Sequence, residues 1–102
     1  MRMWMVDPKE MCRKHLLGEH VECHMFVGTL LKNKKVDGYV KKGLLEIHNL
    51  SNRHNELMFE MKRRGYKHNS LLPKFKKSRV GKINIEENIL KLRRRCKDCF
   101  KY

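Results

Sequence analysis

Apolar residues recur at helical spacing in three separate segments of this chain, and this periodicity constrains the fold more than any other feature. The segments cover about residues 8–30, about residues 44–64 and the stretch that begins near residue 84, with almost none of the alternation typical of strands. Their apolar positions are Leu16, Leu17, Phe26, Val27 and Leu30, then Ile47, Leu50, Leu57, Met58 and Met61, then Ile85, Ile89, Leu92 and Cys96. The pattern predicts an all-α domain of three main helices.

Residues that commonly begin or end helices stand at the borders of these segments. Asp7 suits the cap of the first helix, and Glu10 stands where a capping box needs a carboxylate. Asn84 is expected to cap the third helix, with Glu87 at the reciprocal position. Gly65 is expected to end the second helix, because glycine readily adopts the backbone conformation found there.

Gly18, residues 39–43 and His54 do not fit a simple amphipathic pattern. Gly18 lies in mid-helix, where glycine costs about 1 kcal/mol relative to alanine, and we expect it to let another segment, such as residues 1–6, approach closely. Residues 39–43 fit either a turn of helix or a short extended piece. His54 falls in the apolar stripe of the second helix, which favours a core histidine over a ligand.

The chain has 102 residues, enough for one domain with a single modest core, so residues 1–102 are expected to form one helical domain. It contains no run of roughly 18 apolar residues that would span a membrane. Its N-terminus lacks the pattern of a secretory signal. We therefore expect an intracellular protein whose four cysteines are thiols or ligands rather than disulfides.

Positive charge is concentrated in the last two thirds of the chain, and the formal net charge is +14. Residues 1–31 contain four basic and four acidic side chains, so residues 32–102 carry the other 21 basic and seven acidic ones. A strongly basic small domain is typical of a polyanion binder, most often of nucleic acid. Attraction to anionic lipid is an alternative, but no amphipathic helix of the lipid-binding type stands out.

Two basic stretches are expected to contact phosphates. Residues 66–82 form a predicted loop in which lysines alternate with aromatic and small polar residues, as in segments that follow a nucleic-acid backbone. An ordinary solvated loop would look similar. The third helix carries three consecutive arginines. The candidate contacts in these stretches are Lys74, Lys76, Lys77, Arg79, Arg93 and Arg94.

The N-terminal amine and a carboxylate on the first helix form the main candidate catalytic pair. A free α-amino group ordinarily has a pKa of roughly 7.7–8.0, against about 10.4 for lysine, so part of it is nucleophilic near neutral pH. The positive charge of Arg2 would increase the unprotonated, nucleophilic fraction of the N-terminal amine. Arg2 is also bulky, and a bulky second residue normally prevents removal of Met1. Glu22 shares one helix flank with His15 and Glu19. An amine can form a Schiff base with an aldehyde-level sugar carbon, and a carboxylate can then move protons for β-elimination.

The sequence around this pair resembles the N-terminus of the phage pyrimidine-dimer DNA glycosylase/AP lyase family. The family pattern His-Leu-(Leu/Met)-(Gly/Ala)-Glu-x-x-Glu occurs at residues 15–22, with Gly28 after it, at the family distance from the start. A second match covers residues 56–66, which end in Lys-Arg-Arg-Gly-Tyr. The opening Met-Arg-Met-Trp with Asp-Pro-Lys is similar to short bacterial and viral members. Together these matches cover about two thirds of the chain.

The resemblance implies a compact three-helix fold with the N-terminal segment packed between helices. It implies that Met1 is the nucleophile and Glu22 the catalytic carboxylate, with Arg2, Arg13 and His15 around them as residues that bind substrate or DNA. It also implies a DNA repair enzyme that kinks DNA, displaces a base, attacks C1′ of the damaged nucleotide and cleaves the strand by β-elimination. The implied partner is double-stranded DNA containing damaged bases.

We expect a monomer with no membrane partner and no obligate protein partner. Its location would be the cytoplasm or nucleoid, or wherever viral or host DNA is.

Two parts of the family pattern are missing from this chain. Arginines that help the phage enzymes grip DNA at the lesion are replaced by Val21 and Met25, and the C-terminal part is shortened. Arg13, His20 and His24 are candidate replacements for those DNA contacts. The sequence therefore predicts Schiff-base chemistry more firmly than the choice of lesion.

A metal site is an alternative use of the cysteines and histidines. Cys96 and Cys99 have the spacing of half a zinc site, but the chain has no second Cys-x-x-Cys. Further potential ligands are Cys12, Cys23, His20 and His24. Buried thiols between helices are the preferred interpretation, so neither a metal nor a cofactor is assigned.

Two other hypotheses compete with the enzyme. A non-catalytic helical nucleic-acid-binding protein explains the charge equally well, but gives no reason for the spacing between the N-terminus and Glu22. A zinc-stabilised structural domain would explain the cysteines.

Overall fold

The computed structural model describes residues 1–67 and 71–101. Its α-helices are α1 (Arg13–Leu31), α2 (Asp37–Lys41), α3 (Leu50–Arg63) and α4 (Ile85–Arg95), and two 3-10 turns span Pro8–Glu10 and Ile47–Asn49. The described part of the chain contains no strand. The predicted all-α class is confirmed, with α1, α3 and α4 as the three substantial helices.

The core forms mainly where α1 packs against α3. Leu16 and Phe26 of α1 and Leu50 and Leu57 of α3 are fully buried, as the helical periodicity predicts. Burial of a Leu or Phe side chain contributes about 1.5–3 kcal/mol, so this interface contributes substantially to the stability of the domain. None of the helices in the described ranges is both long and apolar enough to cross a lipid bilayer.

The first predicted helix is interrupted, so its expected span of about residues 8–30 is wrong at the N-terminal end. The 3-10 turn ends at Glu10, and Met11 and Cys12 are extended before α1 begins. The guanidinium of Arg64 donates to the carbonyl oxygens of Pro8, Lys9 and Met11, at 3.1, 3.3 and 2.7 Å. These carbonyls would be engaged within the helix if it were continuous, and Arg64 binds them instead.

The second predicted helix starts later than expected, at Leu50 instead of Leu44. The preceding residues are occupied elsewhere: the carbonyl oxygen of Leu44 accepts from the Met3 N–H at 2.8 Å. The side chain of Glu46 accepts from Ile83 N and from Asn49 Nδ2, at 2.8 and 2.6 Å. Contacts to distant segments therefore outweigh the local helical pattern before residue 47.

Several local predictions are confirmed. Asn84 Oδ1 accepts from the backbone N–H of Glu87 at 3.1 Å and caps α4. Gly65 has φ +82° just after α3, and Gly65 and Tyr66 donate back to the carbonyls of Lys62 and Met61. The segment at residues 39–43, ambiguous in the sequence, belongs mostly to the short helix α2.

Two other predictions are wrong. Ile85 is 45 % exposed at the first residue of α4, although it shares a helix face with the buried Asn88 and Leu92. Gly18 is exposed, and a Cβ atom built there would have no atom within 4 Å. No segment therefore packs closely against Gly18, which instead borders an open cavity.

The N-terminal segment, residues 1–6, lies between α4 and the chain before α3. Met3 and Trp4 are buried. Asn88 of α4 donates to the carbonyl oxygens of Trp4 and Met3 at 2.9 and 3.5 Å, while Leu44 accepts from Met3. This arrangement agrees with the expected packing of the N-terminus between helices, and it directs Met1 toward α1.

Candidate active site

Met1 and Glu22 line the same open cavity, which has a volume of about 430 Å³. Its walls come from the N-terminal segment, from α1 and from Leu44. The lining residues are Met1, Arg2, Trp4, Lys14, His15, Gly18, Glu19, Glu22 and Leu44. The amine and the carboxylate that the sequence singles out thus face one space. A larger depression beside Arg13 and Asp98, of about 600 Å³, contains neither group.

The electrostatic surroundings of Glu22 include both residues at the N-terminus. Burial raises the pKa of Glu22, while the positive charge of the N-terminal amine and the backbone N–H of Arg2 partly oppose the rise. Among the ion pairs of residues 1–67 and 71–101, none joins the Met1 amine directly to Glu22, so the two groups interact across the cavity.

The side chain of Arg2 is turned inward rather than toward solvent. Its Nη2 donates to Asn88 Oδ1 at 2.7 Å, and its guanidinium carbon lies 3.9 Å from the centroid of a Trp4 ring. Burial and the nearby charge of Arg95 lower the pKa of Arg2. Arg2 was predicted as a DNA contact, and the structure gives it a position that anchors the N-terminus to α4.

Glu19, one turn before Glu22, has a different environment. Both of its carboxylate oxygens accept from the guanidinium of Arg53, at 2.6 and 2.8 Å, and both side chains are buried. Its negative charge contributes to the raised pKa of Glu22. The two carboxylates of α1 therefore differ: Arg53 neutralises Glu19 inside the fold, whereas Glu22 faces the cavity.

His15 also borders this cavity, as expected of a residue near the catalytic pair. Its ring makes an edge contact with Trp4, with ring centroids 6.0 Å apart. Burial, with a smaller effect of Lys14, lowers its pKa and favours the neutral imidazole. Its Nδ1 lies 3.2 Å from Cys12 Sγ and 3.6 Å from Cys99 Sγ. His15 thus connects the cavity to a cluster of cysteines.

Two groups of residues in the described ranges have an arrangement that could hold a metal ion. One is Cys12, His15, Cys96 and Cys99, and the other is His20, His24 and His54; in each group the potential ligand atoms lie within 4.8 Å of one another. Cys23, also considered from the sequence, is buried elsewhere on α1 and does not join the cysteine cluster.

The histidine group, His20, His24 and His54, is more buried than expected for DNA contacts. His20 is buried, and its Nε2 lies 3.1 Å from Nε2 of His54. His24 is half-buried, with its ring centroid 5.0 Å from that of His20. The predicted core position of His54 is confirmed, and His20 is buried beside it rather than exposed as a DNA contact would be.

The other predicted DNA contacts are exposed. They are Arg13, Lys74, Lys76, Lys77, Arg79, Arg93 and Arg94. Arg13 stacks over Tyr66 at 5.0 Å from the ring centroid, and Arg93 stacks over Phe100 at 4.8 Å. Val21 and Met25, one turn apart on α1, are 53 % and 50 % exposed.

Sequence reasoning missed two residues that organise this site. Arg53 neutralises Glu19, and Asn88 binds Arg2, Met3 and Trp4 from α4. The sequence contained a signal for both residues, because each is a polar residue at a position that its helix buries. A polar residue in an apolar stripe indicates a buried partner, but not which one.

Comparison with protein families gives a match to the model of the pyrimidine dimer DNA glycosylases over residues 1–74. No match was found among curated proteins or solved structures. The matched region contains the N-terminal segment, all of α1 and α3, and both carboxylates of α1, whereas α4 and Cys96 and Cys99 lie beyond it. Because the match covers well over half of the chain, the protein belongs to the pyrimidine dimer DNA glycosylase family.

Proposed function

We propose that this protein removes damaged bases from DNA as a glycosylase with AP-lyase activity, and that its substrate lesion is the pyrimidine dimer. Family membership supports the glycosylase activity. The observation that carries the mechanism is that Met1 and Glu22 line one cavity. A non-catalytic nucleic-acid-binding domain would have no need for this arrangement.

In the proposed reaction the Met1 amine attacks C1′ of the damaged nucleotide. The glycosidic bond to the base breaks, the base takes up a proton but stays bonded to the other base of the dimer, and the opened sugar remains linked to the amine as a Schiff base. The positive charge of this Schiff base makes the adjacent C2′ proton acidic. Removal of that proton expels the 3′ phosphate oxygen, which cleaves the strand, and water then releases the sugar from the amine.

Glu22 is proposed to stabilise the cationic intermediate and to carry protons between these steps. A carboxyl whose pKa is raised by burial can donate as well as accept a proton closer to neutral pH. Glu19 is unsuited to this role because Arg53 occupies both of its oxygens. This contrast favours Glu22 as the only mobile proton carrier among the two carboxylates of α1.

The proposed partner is double-stranded DNA that contains damaged bases. The exposed basic residues of the loop and of α4, with Arg13 on α1, would bind its phosphates. Displacing a base costs a few kcal/mol, and less at a lesion that already stacks poorly. The stretch with Val21 and Met25 is exposed on the same helix as Glu22, so it would face the lesion without arginine contacts.

Reductive trapping tests the nucleophile directly. Borohydride should capture the protein covalently on DNA with an abasic site. Cleavage before Asp7 then releases residues 1–6, a peptide without lysine whose only primary amine is that of Met1. The sugar adduct is expected on this peptide, and acetylation of the N-terminus should prevent it.

Two results would contradict this mechanism. An adduct on a lysine-containing peptide would mean that another amine is the nucleophile. Binding to abasic DNA without any trapping or cleavage would favour the non-catalytic alternative. Salt titration cannot separate the hypotheses, because both predict binding that weakens as phosphate contacts are screened.

A further inference from the structure

Four potential metal ligands from opposite ends of the chain meet beside the N-terminus of α1. Cys12 precedes α1 and His15 lies on its first turn, whereas Cys96 ends α4 and Cys99 follows in the C-terminal tail. In sequence they form two pairs, Cys-x-x-His at residues 12–15 and Cys-x-x-Cys at residues 96–99. Each pair can chelate a metal by itself, and the fold brings the two pairs together.

Three distances between these atoms are close to the edges of a zinc tetrahedron. With Zn–S bonds of about 2.3 Å and Zn–N bonds of about 2.0–2.1 Å, tetrahedral geometry separates two sulfurs by about 3.8 Å and a sulfur from a nitrogen by about 3.6 Å. Cys12 Sγ lies 3.7 Å from Cys96 Sγ, and His15 Nδ1 lies 3.2 and 3.6 Å from the sulfurs of Cys12 and Cys99. All four ligand atoms lie within 4.8 Å of one another.

The surroundings also suit thiolate ligands. The backbone N–H of Cys12 donates to Cys99 Sγ at 3.3 Å, a hydrogen bond that would stabilise negative charge on that sulfur. Cys12 and Cys99 are buried, while Cys96 and His15 are half-buried, so an ion at the centre would be enclosed by protein on most sides. Three cysteines and one histidine form an ordinary ligand set for structural zinc.

We propose that Cys12, His15 Nδ1, Cys96 and Cys99 bind one Zn²⁺ in a closed, tetrahedral, structural site. The ion would fasten the C-terminal tail to the start of α1, where a backbone hydrogen bond from Phe100 to Glu10 already joins the two. This inference is independent of the proposed function, and the second ligand pair lies outside the family match.

The zinc would also stabilise one wall of the cavity around Met1. Ligation through Nδ1 leaves the proton of His15 on Nε2 and holds the ring in one orientation. Because His15 lines the cavity and contacts Trp4, its orientation shapes the space that Met1 and Glu22 share. His15 acts here as a positioning residue rather than a catalytic one.

Metal analysis of the protein purified without chelators tests the proposal. We expect one zinc ion per chain in the wild type, and loss of that ion in Cys12→Ser and in Cys99→Ser. Cys23→Ala is the matched control, because it removes a cysteine outside the cluster and should keep the zinc. His24→Gln should also keep it, which separates this site from the histidine cluster.

A second measurement avoids dependence on whether the variants fold. Wild-type protein loaded with Co²⁺ should show the visible absorption of tetrahedral cobalt together with sulfur-to-metal charge transfer. A chelator should lower the thermal unfolding temperature of the wild type, but not that of a folded Cys99→Ser variant.

Three outcomes would overturn the proposal. One is a wild type that contains no zinc and gives no thiolate spectrum with Co²⁺. Another is zinc that persists in both cysteine variants or disappears only in His24→Gln. The third is a disulfide between two cysteines of the cluster in the native protein.

Discussion

The carboxylate of Glu19 and the guanidinium of Arg53 form a two-bond ion pair, at 2.6 and 2.8 Å, inside the interface between α1 and α3. Both side chains are almost completely buried. Arg53 Nη2 also lies 3.4 Å from Met11 Sδ, which connects the pair to the chain just before α1. Glu22 follows Glu19 by one helical turn, so this pair helps to hold the helix that presents the candidate catalytic carboxylate.

Breaking the Glu19–Arg53 pair should strongly destabilise the fold. We expect Arg53→Met to lower the free energy of unfolding by about 3–5 kcal/mol, because it leaves a buried carboxylate without its partner. Replacing both residues with methionine should recover much of this loss. Urea denaturation of the two single variants and the double variant measures the coupling. A loss in the double variant equal to the sum of the two single losses would show that the pairing itself contributes little.

Replacing Glu22 should stop the reaction without preventing DNA binding. We expect Glu22→Gln to reduce strand cleavage at an abasic site by about 10²–10⁴-fold, the usual contribution of a proton-transferring group. Affinity for the same DNA should change little. Because burial raises the pKa of Glu22, the acidic limb of the wild-type pH–rate profile should lie above the ordinary range of glutamate and should be absent from residual activity in the variant. If Glu22→Gln cleaves the strand at the wild-type rate, the role assigned to Glu22 is excluded.

Asn88 should affect the orientation of the N-terminal amine from outside the cavity. Asn88→Ala removes the acceptor of Arg2 and the donor to Trp4, and leaving these buried groups unpaired should cost about 1–3 kcal/mol of stability. At a temperature where the variant is folded, borohydride trapping should be slower while DNA affinity is retained. Asn52→Ala, at an exposed position of α3, is the matched control. Unchanged trapping kinetics in Asn88→Ala would contradict this positioning role.

Acid should weaken the contact between α3 and the chain before α1. Hydrogen bonds from Arg63 and Arg64 lower the pKa of Glu60 to about 2, from an ordinary value of 4.5. A lowered pKa means that the stabilisation is fully present above about pH 4.5 and is lost as the pH falls toward 2. Thermal unfolding between these pH values should therefore show a steeper decline for the wild type than for Glu60→Gln. Parallel pH profiles would mean that Glu60 is not the responsible carboxylate.

Arginines introduced at the two exposed apolar positions beside Glu22 should improve DNA binding. Val21→Arg and Met25→Arg add charge at the two positions where the phage family pattern has arginine. Both positions are exposed enough to accept the larger side chain. Each phosphate contact should increase the salt dependence of binding by about one in slope. Leu31→Arg adds the same charge at the far end of α1, at 51 % exposure, and is the control. An equal gain in all three variants would indicate only a general charge effect.

The helices and most of their ends could be predicted from residues that are close together in sequence. The apolar spacing predicted α1, α3 and α4, while Asn84 and Gly65 marked helix ends correctly, because each depends on residues within one or two turns. The motif at residues 15–22, together with its distance from Met1 and the second match at residues 56–66, indicated the family. The sequence pattern placed the starts of α1 and α3 too early. Near those starts, Met11 accepts a hydrogen bond from Arg64 and Glu46 accepts one from Ile83, and both donors are far away in sequence.

The sequence by itself determined the helical class, the basic character and the candidate pair of Met1 and Glu22, since these follow from spacing, charge and an N-terminal motif. Only the tertiary structure decided which polar residues are neutralised or brought together. Glu19 meets Arg53 across 34 residues, and Cys12 meets Cys96 across 84. Such contacts depend on how helices pack against one another, and a pattern that repeats every three or four residues carries no information about the partner across the interface.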